Sequence, residues 1–505
     1  MDSPLGERGD GSHPPVLVVG FRVTGHAVAA YLRGRGEAVV VVEDDPTDER
    51  RQQAAALGAH FLGHPDKDEL ERAVQASRLV VPSPGIAVSH PVYRLAADAA
   101  VPVHSELELG WERLESRWAA QREGGEGGGE GRGEGGEGGG AAAGARRPAL
   151  VAVTGTNGKT TVTSLVAAML VQSGLVAVAA GNIGLPFIDA VELDADVLVT
   201  EVSSFQLEYT ERFHPAVSCW LNLAEDHLDW HPTMAHYAAA KARVWAAQGA
   251  GDVAVVNACD AAVMAAARDP GHGLPGGVGM VTFAGSLSGS GSGPGDFHAD
   301  PDGLLVGPEG LELVSVDELT RSLPLDVANA LAAAATARAA GASIEGCRSA
   351  LRQFTGLPHR VQLVGEQGGV RWYDDSKSTT PASVLAAVAG LGSVVLIAGG
   401  RNKGLDLSVL AHAAPPVRAV VAIGEAAGEV EAAFSGRVPV VRAASMAAAV
   451  ATAAEAVGPG EVVLLSPGCA SFDWYRSYAE RGEDFTALVA ARLQKEPEGN
   501  EGSSR

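Results

Sequence analysis

The sequence predicts an α/β protein of three domains, and three observations carry that expectation. Its 505 residues exceed what one hydrophobic core serves, about 250–300 residues. Short β-branched runs alternate with Ala-rich stretches of helical length, the pattern of parallel sheets covered by helices. A Gly/Glu-rich tract, EGGEGGGEGRGEGGEGGG from position 123, interrupts that alternation and cannot bury a core. The expected domains are 14–121, 148–355 and 356–505, with 122–147 as a flexible linker.

Taken in order, the first strand is Val16–Val19, followed by the glycine-lined turn VVGFRVTG at Val18–Gly25. Arg22 stands where a dinucleotide-binding G-x-G-x-x-G needs its second glycine, so a nicotinamide cofactor is not expected. Val39–Val42 and Leu79–Val81 continue the first sheet. Beyond the linker, Ala149–Val153, Val197–Thr200 and Val253–Val256 read as strands of a second sheet. Val394–Ala398, Ala419–Ile423 and Val462–Leu465 read as a third. Gly285–Gly295, GSLSGSGSGPG, reads as a long surface loop, and the last ten residues as a frayed tail.

Composition narrows the function class. Lys+Arg is 38 against Asp+Glu 61, a formal net charge of −23. Gripping nucleic acid or an anionic membrane rewards the opposite sign. Residues 148–355 alone carry −13. Four scattered cysteines are too few for a disulfide framework or a zinc site. No apolar run reaches about 18 residues, and the polar first 13 residues lack a signal-peptide core. The expectation is a cytoplasmic enzyme without membrane insertion.

The chemistry is most legible in ALVAVTGTNGKTT, Ala149–Thr161. A strand runs into Gly155, Thr156, Asn157, Gly158, Lys159, Thr160 and Thr161, and an Ala-rich helix follows. Glycines let backbone N–H groups converge on phosphate oxygens. The helix N-terminus adds partial positive charge, the lysine reaches the terminal phosphates, and a hydroxyl can ligate magnesium. The strict phosphate-loop pattern would need Gly at 153, where Val153 stands. The loop implies a nucleoside triphosphate but not a reaction.

Glu201 follows the strand Val197–Thr200, at the strand end where ligands bind in open α/β sheets. Asp226, His227 and Asp229 lie in LNLAEDHLDWH, and Lys241 in YAAAKARVW. Each alone reads as ordinary surface. Together, downstream of a phosphate loop, they are candidate ligands for a hard cation.

TGTNGKTT, GNIG, EVSSFQLE, NLAEDHLDWH, YAAAK, GLPHR, DDSKSTTP, GGRNKG and LLSPGCASFDWY occur in that order. The chain thereby resembles the Mur ligase family over nearly its whole length. The resemblance implies a Rossmann-like N-terminal domain for a UDP-sugar, a central P-loop ATPase-like domain and a Rossmann-like C-terminal domain for an amino acid. It implies ATP-dependent joining of D-glutamate to UDP-N-acetylmuramoyl-L-alanine through an acyl phosphate, in cytoplasmic peptidoglycan precursor synthesis, by a monomer using ATP and two Mg2+ sites. A folylpolyglutamate synthase-like ligase or a non-catalytic nucleotide-binding module is the alternative.

Residue by residue, Gly155–Thr161 would bind ATP, with Lys159 on the phosphates and Asn329, Arg360 and Asp375 as further contacts. Thr160 and Glu201 would hold one magnesium, and His227 and a carbamylated Lys241 the second; Lys159, Glu201, His227 and Lys241 form the expected catalytic set. Val23, Thr24, Glu43, Asp44, Ser83, Pro84, Gly85 and Asn182 match UDP-sugar positions. Lys377, Thr379, Lys403, Ser471 and Phe472 match the D-glutamate pocket. Leu325-Asp326 stands where the family has a His-Asn pair at adenine. An ionised carboxylate accepts hydrogen bonds and donates none, so the base is expected to lose a donor there.

Overall fold

The computed structural model describes residues 13–126, 147–228, 230–285 and 295–495. The central part of the expected linker, most of the 285–295 loop, the terminal tails and Asp229 lie outside the described residues.

Three sheets follow one another along the chain. The first comprises β1 (Val16–Val19), β2 (Val39–Glu43), β3 (His60–Gly63) and β4 (Leu79–Pro82). All pairings are parallel, in the order β3-β2-β1-β4. β1, β2 and β4 are buried along both faces, which is why they are written as unbroken valine-rich runs rather than alternating ones.

The second sheet has nine strands: β5 (Ala149–Thr154), β6 (Ala177–Gly181), β7 (Val197–Glu201), β8 (Val217–Trp220), β9 (Val253–Asn257), β10 (Gly279–Ala284), β11 (Phe297–Ala299), β12 (Leu304–Gly307) and β13 (Leu311–Ser315). Their order is β13-β12-β11-β10-β9-β8-β5-β7-β6. The chain steps from β5 to one side and returns to the other, so β5 lies between β7 and β8 at a topological switch point. Ligands bind outside the carboxyl ends of strands at such a point. The end of the sheet at β11–β13 is antiparallel, unlike the parallel pattern expected.

The third sheet has six strands: β14 (Gln362–Gln367), β15 (Val370–Asp374), β16 (Val394–Gly399), β17 (Val417–Ile423), β18 (Val440–Ala443) and β19 (Val462–Leu465). It runs β14-β15-β19-β16-β17-β18, parallel except for the β14–β15 hairpin. Each sheet separates two apolar clusters, so each is covered on both faces.

The helix Glu106–Glu126 joins the first two sheets. It runs five residues into the segment expected as linker. Leu107, Trp111 and Leu114 pack beside Phe187 in a core of the central sheet. Two buried carboxylates fix this helix. Glu108 accepts the backbone N–H groups of Glu211, Arg212 and Phe213. Glu106 accepts from Ile188 N at 2.8 Å and from Gln206 Nε2 at 3.3 Å. Burial pushes Glu106 up to about 7, against the pull of those donors. No described helix is long and apolar enough to cross a membrane.

A candidate nucleotide and ligation site between two sheets

The phosphate loop leaves β5 and enters the helix Lys159–Gln172. Val162, Leu165, Val166, Met169 and Leu170 bury that helix against β5, β7 and β8. Gly155 and Gly158 have φ of +154° and +84°. A Cβ on Gly158 would come within 2.7 Å of Asn329 Oδ1, so glycine is required there on both conformational and spatial grounds.

Asn222, just past β8, holds the loop open from beneath. Its Oδ1 accepts Thr156 N at 3.0 Å and Asn157 N at 2.8 Å, and its Nδ2 donates to Asn157 O. The Thr156 hydroxyl lies 3.3 Å from the Tyr237 hydroxyl and donates to Ala224 O. Sequence reasoning quoted Asn222 and Tyr237 inside motifs without giving either a role. No local pattern shows that residues 65 and 81 positions away meet the loop.

Two lysines converge on one carbonyl. Lys159 Nζ donates to Gly155 O at 2.8 Å and Thr156 O at 2.9 Å. Lys241 Nζ donates to Gly155 O at 2.9 Å and lies over the Tyr237 ring. Burial lowers both amines, Lys241 far below the ordinary lysine range, with Lys159 adding repulsion.

Glu201 is the last residue of β7 rather than the one beyond it, and is 2% exposed. Its Oε1 accepts from Asn182 Nδ2 at 3.0 Å. Its Oε2 is buried with no hydrogen-bond partner among the described residues. A buried carboxylate oxygen without a donor is costly unless something cationic meets it. An unpartnered carboxylate oxygen of this kind suits a hard divalent cation. Asn182 is thus engaged with Glu201, while the other expected UDP-sugar residues lie around the first sheet.

His227 sits beside Asp226, with Nε2 3.1 Å from Oδ2. Burial holds the imidazole down to about 4 despite that carboxylate, so it is neutral at pH 7. Behind it, Ser204, His231, His236 and Glu208 form a chain, with 2.9 Å from Ser204 Oγ to His231 Nε2, 3.0 Å between the two Nδ1 atoms, and 3.6 Å from His236 Nε2 to Glu208. One proton per link satisfies every member, so this chain reads as packing.

The third sheet supplies cations to the same place. Arg360 Nη2 donates to Thr160 Oγ1 at 2.9 Å, and Lys377 Nζ lies 3.3 Å from the same oxygen. Lys403 reaches Asp226 Oδ1 at 3.7 Å and Thr379 Oγ1 at 3.5 Å. Burial, helped by Arg360, lowers Lys377 to about 8. Asp375 accepts from Ser466 Oγ at 2.7 Å and Val361 N at 3.2 Å, and burial raises it to about 6. Ser471 is buried, whereas Phe472 is 61% exposed.

Arg481 is 1% exposed and went unnoticed in the sequence. It donates to Ser376 Oγ at 2.9 Å, Ser376 O at 2.8 Å and Cys469 O at 3.2 Å. It therefore staples the DSKST segment to the PGCASF segment.

Between the two sheets lies a cavity of about 250 Å3. Leu165, Leu325, Phe354 and Leu357 give it apolar walls; Asn157, Gly158 and Thr161 line it from the phosphate loop, and Arg360 and Lys377 from beside the third sheet. Asn329, Asp375, Arg321 and Asp326 also line it. Asp326 is not a bare acceptor: Arg321 Nη2 meets its Oδ1 at 3.0 Å, and its Oδ2 receives Leu323 N at 3.3 Å. The Arg321 guanidinium thus neutralises this carboxylate at the cavity wall.

In the first sheet, Glu43, Asp44, Val23, Thr24, Ser83, Pro84 and Gly85 gather at the carboxyl ends of β1, β2 and β4. Glu43 braces the first turn by accepting Phe21 N at 2.7 Å, and Ser83 Oγ donates to Gly20 O at 2.7 Å. Trp230 Nε1 donates to Ile86 O at 3.0 Å and links this turn region to the central sheet.

Comparison with known proteins agrees with this geometry. The Mur ligase middle domain matches residues 153–274, the Mur ligase glutamate ligase domain 359–469, and the Mur ligase MurD-like N-terminal domain 14–105. A protein of Frankia casuarinae is 40% identical over 491 residues, covering 95% of this chain and 94% of its own length. One of Thermobifida fusca is 39% identical over 501 residues, covering 94% and 98%. Both are named UDP-N-acetylmuramoylalanine--D-glutamate ligase. The fold is shared with a MurF ligase of Thermotoga maritima crystallised with ADP, at a TM-score of 0.57 and 15% identity, covering 91% of this chain and 96% of that one. With three domain matches in order and relatives this similar along nearly its whole length, the chain belongs to the Mur ligase family.

Proposed function

We propose that the chain joins D-glutamate to UDP-N-acetylmuramoyl-L-alanine at the expense of ATP, in peptidoglycan precursor synthesis. One observation carries the reading: Arg360 and Lys377, from the third sheet, meet the Thr160 hydroxyl of the phosphate loop, beside Glu201 and Lys241. A phosphate loop alone would serve a switch. Cations brought to it by a separate sheet serve a transfer between two substrates.

A carboxylate oxygen is a poor leaving group, so the L-alanine carboxylate needs activation. Its oxygen attacks the γ-phosphorus of ATP, the β–γ bridging P–O bond breaks, and ADP leaves with that electron pair. The amine of D-glutamate then attacks the acyl phosphate carbon. The tetrahedral intermediate expels inorganic phosphate and loses the amine proton, giving the amide. Negative charge moves over phosphoryl oxygens throughout, and Lys159, Arg360 and Lys377 offset it from fixed positions. Lys403 and Thr379 stand where the third sheet faces Asp226 and would hold the amino acid, with Ser471 and Phe472 nearby. Closure of the two sheets around the cavity would exclude water, which would otherwise hydrolyse the acyl phosphate.

Glu201, through its unpartnered Oε2, and Thr160 fit one Mg2+. Neutral His227 and Lys241 would hold a second, Lys241 as a carbamate; burial lowers the proton affinity of its amine, which favours the form able to add carbon dioxide. When bound, magnesium supplies charge neutralisation at the phosphates. All these groups come from one chain, so a monomer suffices. Nucleotide substrates of this kind support reading the enzyme as cytoplasmic.

The test is ADP release with UDP-N-acetylmuramoyl-L-alanine and ATP, adding D-glutamate or L-glutamate. Release with D-glutamate alone is expected. Release with L-glutamate alone would point to a folylpolyglutamate synthase-like substrate, and nucleotide binding without release to a binding module.

A further inference from the structure

The residue that delivers Arg360 is the least comfortable stretch of backbone near the site. His359 and Val361, on either side of it, have φ of +59° and +46°. Neither is glycine, and a β-branched residue in the left-handed region is an outlier. Such strain persists only where surrounding contacts over-determine it, and it clusters at functional sites.

The contacts holding this turn come from two sources. From its own sheet, His359 Nδ1 lies 2.6 Å from Asp374 Oδ2, His359 N donates to Gln362 Oε1 at 3.1 Å, and Val361 N donates to Asp375 Oδ1 at 3.2 Å. From the central unit comes Arg321, whose Nη1 donates to the backbone oxygen of Arg360 itself at 2.5 Å. The guanidinium is held in turn. Its Nη2 pairs with Asp326 at 3.0 Å, and both side chains are largely buried, at 19% and 13% exposed. Gly356, at φ +92°, gives it room: a Cβ there would lie 2.4 Å from Nη1.

One planar group thus spans the cavity wall at Asp326 and the carbonyl of the residue whose own side chain reaches Thr160. Arg360 Nε is buried without a partner among the described residues, so part of that guanidinium is free for a ligand. The pins from the third sheet travel with Arg360. The pin from Arg321 exists only while the two sheets are docked.

We propose that Arg321 is a positioning residue for the ligation reaction, which seats the Arg360 turn when the third sheet docks on the nucleotide-bearing central sheet. The proposal builds on the ligase reading above. Arg321 touches no reacting atom; it acts through the Arg360 carbonyl. Its effect therefore belongs to turnover in the docked state rather than to the first capture of nucleotide by the phosphate loop.

The test is a double-mutant cycle on the full chain, reading D-glutamate-dependent ADP release alongside equilibrium binding of a non-hydrolysable ATP analogue. Arg321→Ala is expected to lower kcat by about tenfold or more while analogue affinity changes less than about threefold, and the loss is expected to vanish in an Arg360→Ala background because the two act as one unit. Losses that multiply in the double variant, an unchanged kcat, or an effect confined to analogue affinity would each overturn it. Should Arg321→Ala fail to fold, Arg321→Lys carries the cycle: one ammonium cannot reproduce the fork that serves Asp326 and Arg360 O together. Wild-type enzyme in the same assay keeps the two readings apart. No D-glutamate-dependent release there refutes the proposed function, whereas normal release with an additive cycle refutes only the role of Arg321.

Discussion

The phosphate loop Gly155–Thr161 and the turn His359–Val361 face each other across one cavity, yet they are held in different ways. The loop is fixed within its own sheet. Asn222 takes two of its N–H groups, and two lysines cover the Gly155 carbonyl. Its unusual φ values fall on glycines. The turn carries its unusual φ values on histidine and valine, and one of its ties comes from the other side of the cavity. A site of the first kind is preorganised for binding. A site of the second kind is completed by docking, which suits a reaction that must not start before both substrates are enclosed.

That contrast is broken or sharpened by separating capture from turnover. The largest effect is expected from Lys159→Ala. Removing the charge proposed to serve the terminal phosphates is expected to cost about 10²–10³ in kcat, while UDP-sugar binding, measured by calorimetry, stays unchanged. Wild-type turnover would remove the loop from the chemistry.

Arg360→Ala is expected to come next, lowering kcat by about 10–100-fold with little change in nucleotide affinity, since a charge-assisted contact is worth about 1.5–3 kcal/mol. Its backbone carbonyl and the flanking pins remain, so the melting temperature should hold. If nucleotide affinity instead falls as much as kcat, the turn is part of the preorganised site and the contrast fails.

Asn222→Ala probes the loop's own scaffold. Two backbone N–H groups lose their acceptor, and each buried unpaired donor costs about 1–3 kcal/mol. The expected outcome is a KM for ATP raised about tenfold, with kcat changed less. A fall in kcat at constant KM would show that Asn222 acts in the closed state.

The same contrast explains what was legible in the sequence. Strands buried on both faces are written as consecutive β-branched residues, so β1, β16 and β19 could be read directly. The ends of the sheets could not. β3 (HFLG) and β6 (AVAAG) are only partly buried and carry no such run, and β12 and β13 pair through a hairpin turn that tertiary packing decides. The loop and Glu201 were legible because strand, glycines and lysine are adjacent in the chain. Asn222, Arg321 and Arg481 were not, because their roles are defined by partners 65, 39 and 105 residues away. The Arg321–Asp326 pair was not legible either: the guanidinium lies five residues upstream on an irregular segment with no helical spacing to suggest the pair.

The smallest expected effect is in the pH profile, and it bears on the docked side alone if the assignment to Lys377 is right. Burial and the neighbouring Arg360 lower Lys377 to about 8, with Glu201 pulling the other way. The ammonium is the form that offsets phosphoryl charge, so its contribution is complete well below pH 8 and is lost as pH rises through 8. Since kcat/KM reports groups of the free enzyme, it should fall on the alkaline side with a midpoint near 8, about twofold at the midpoint. Lys159 and Lys241 are also lowered by burial, so the limb must be assigned by substitution. Lys377→Arg keeps the charge and should carry the limb out of range. Arg360→Ala removes a repelling cation, so Lys377 should hold its proton longer and the midpoint should move to higher pH. A limb that survives Lys377→Arg unchanged belongs to Lys159 or Lys241, the two lysines on the Gly155 carbonyl, and the titrating cation would then sit on the preorganised side of the cavity rather than on the side that docks.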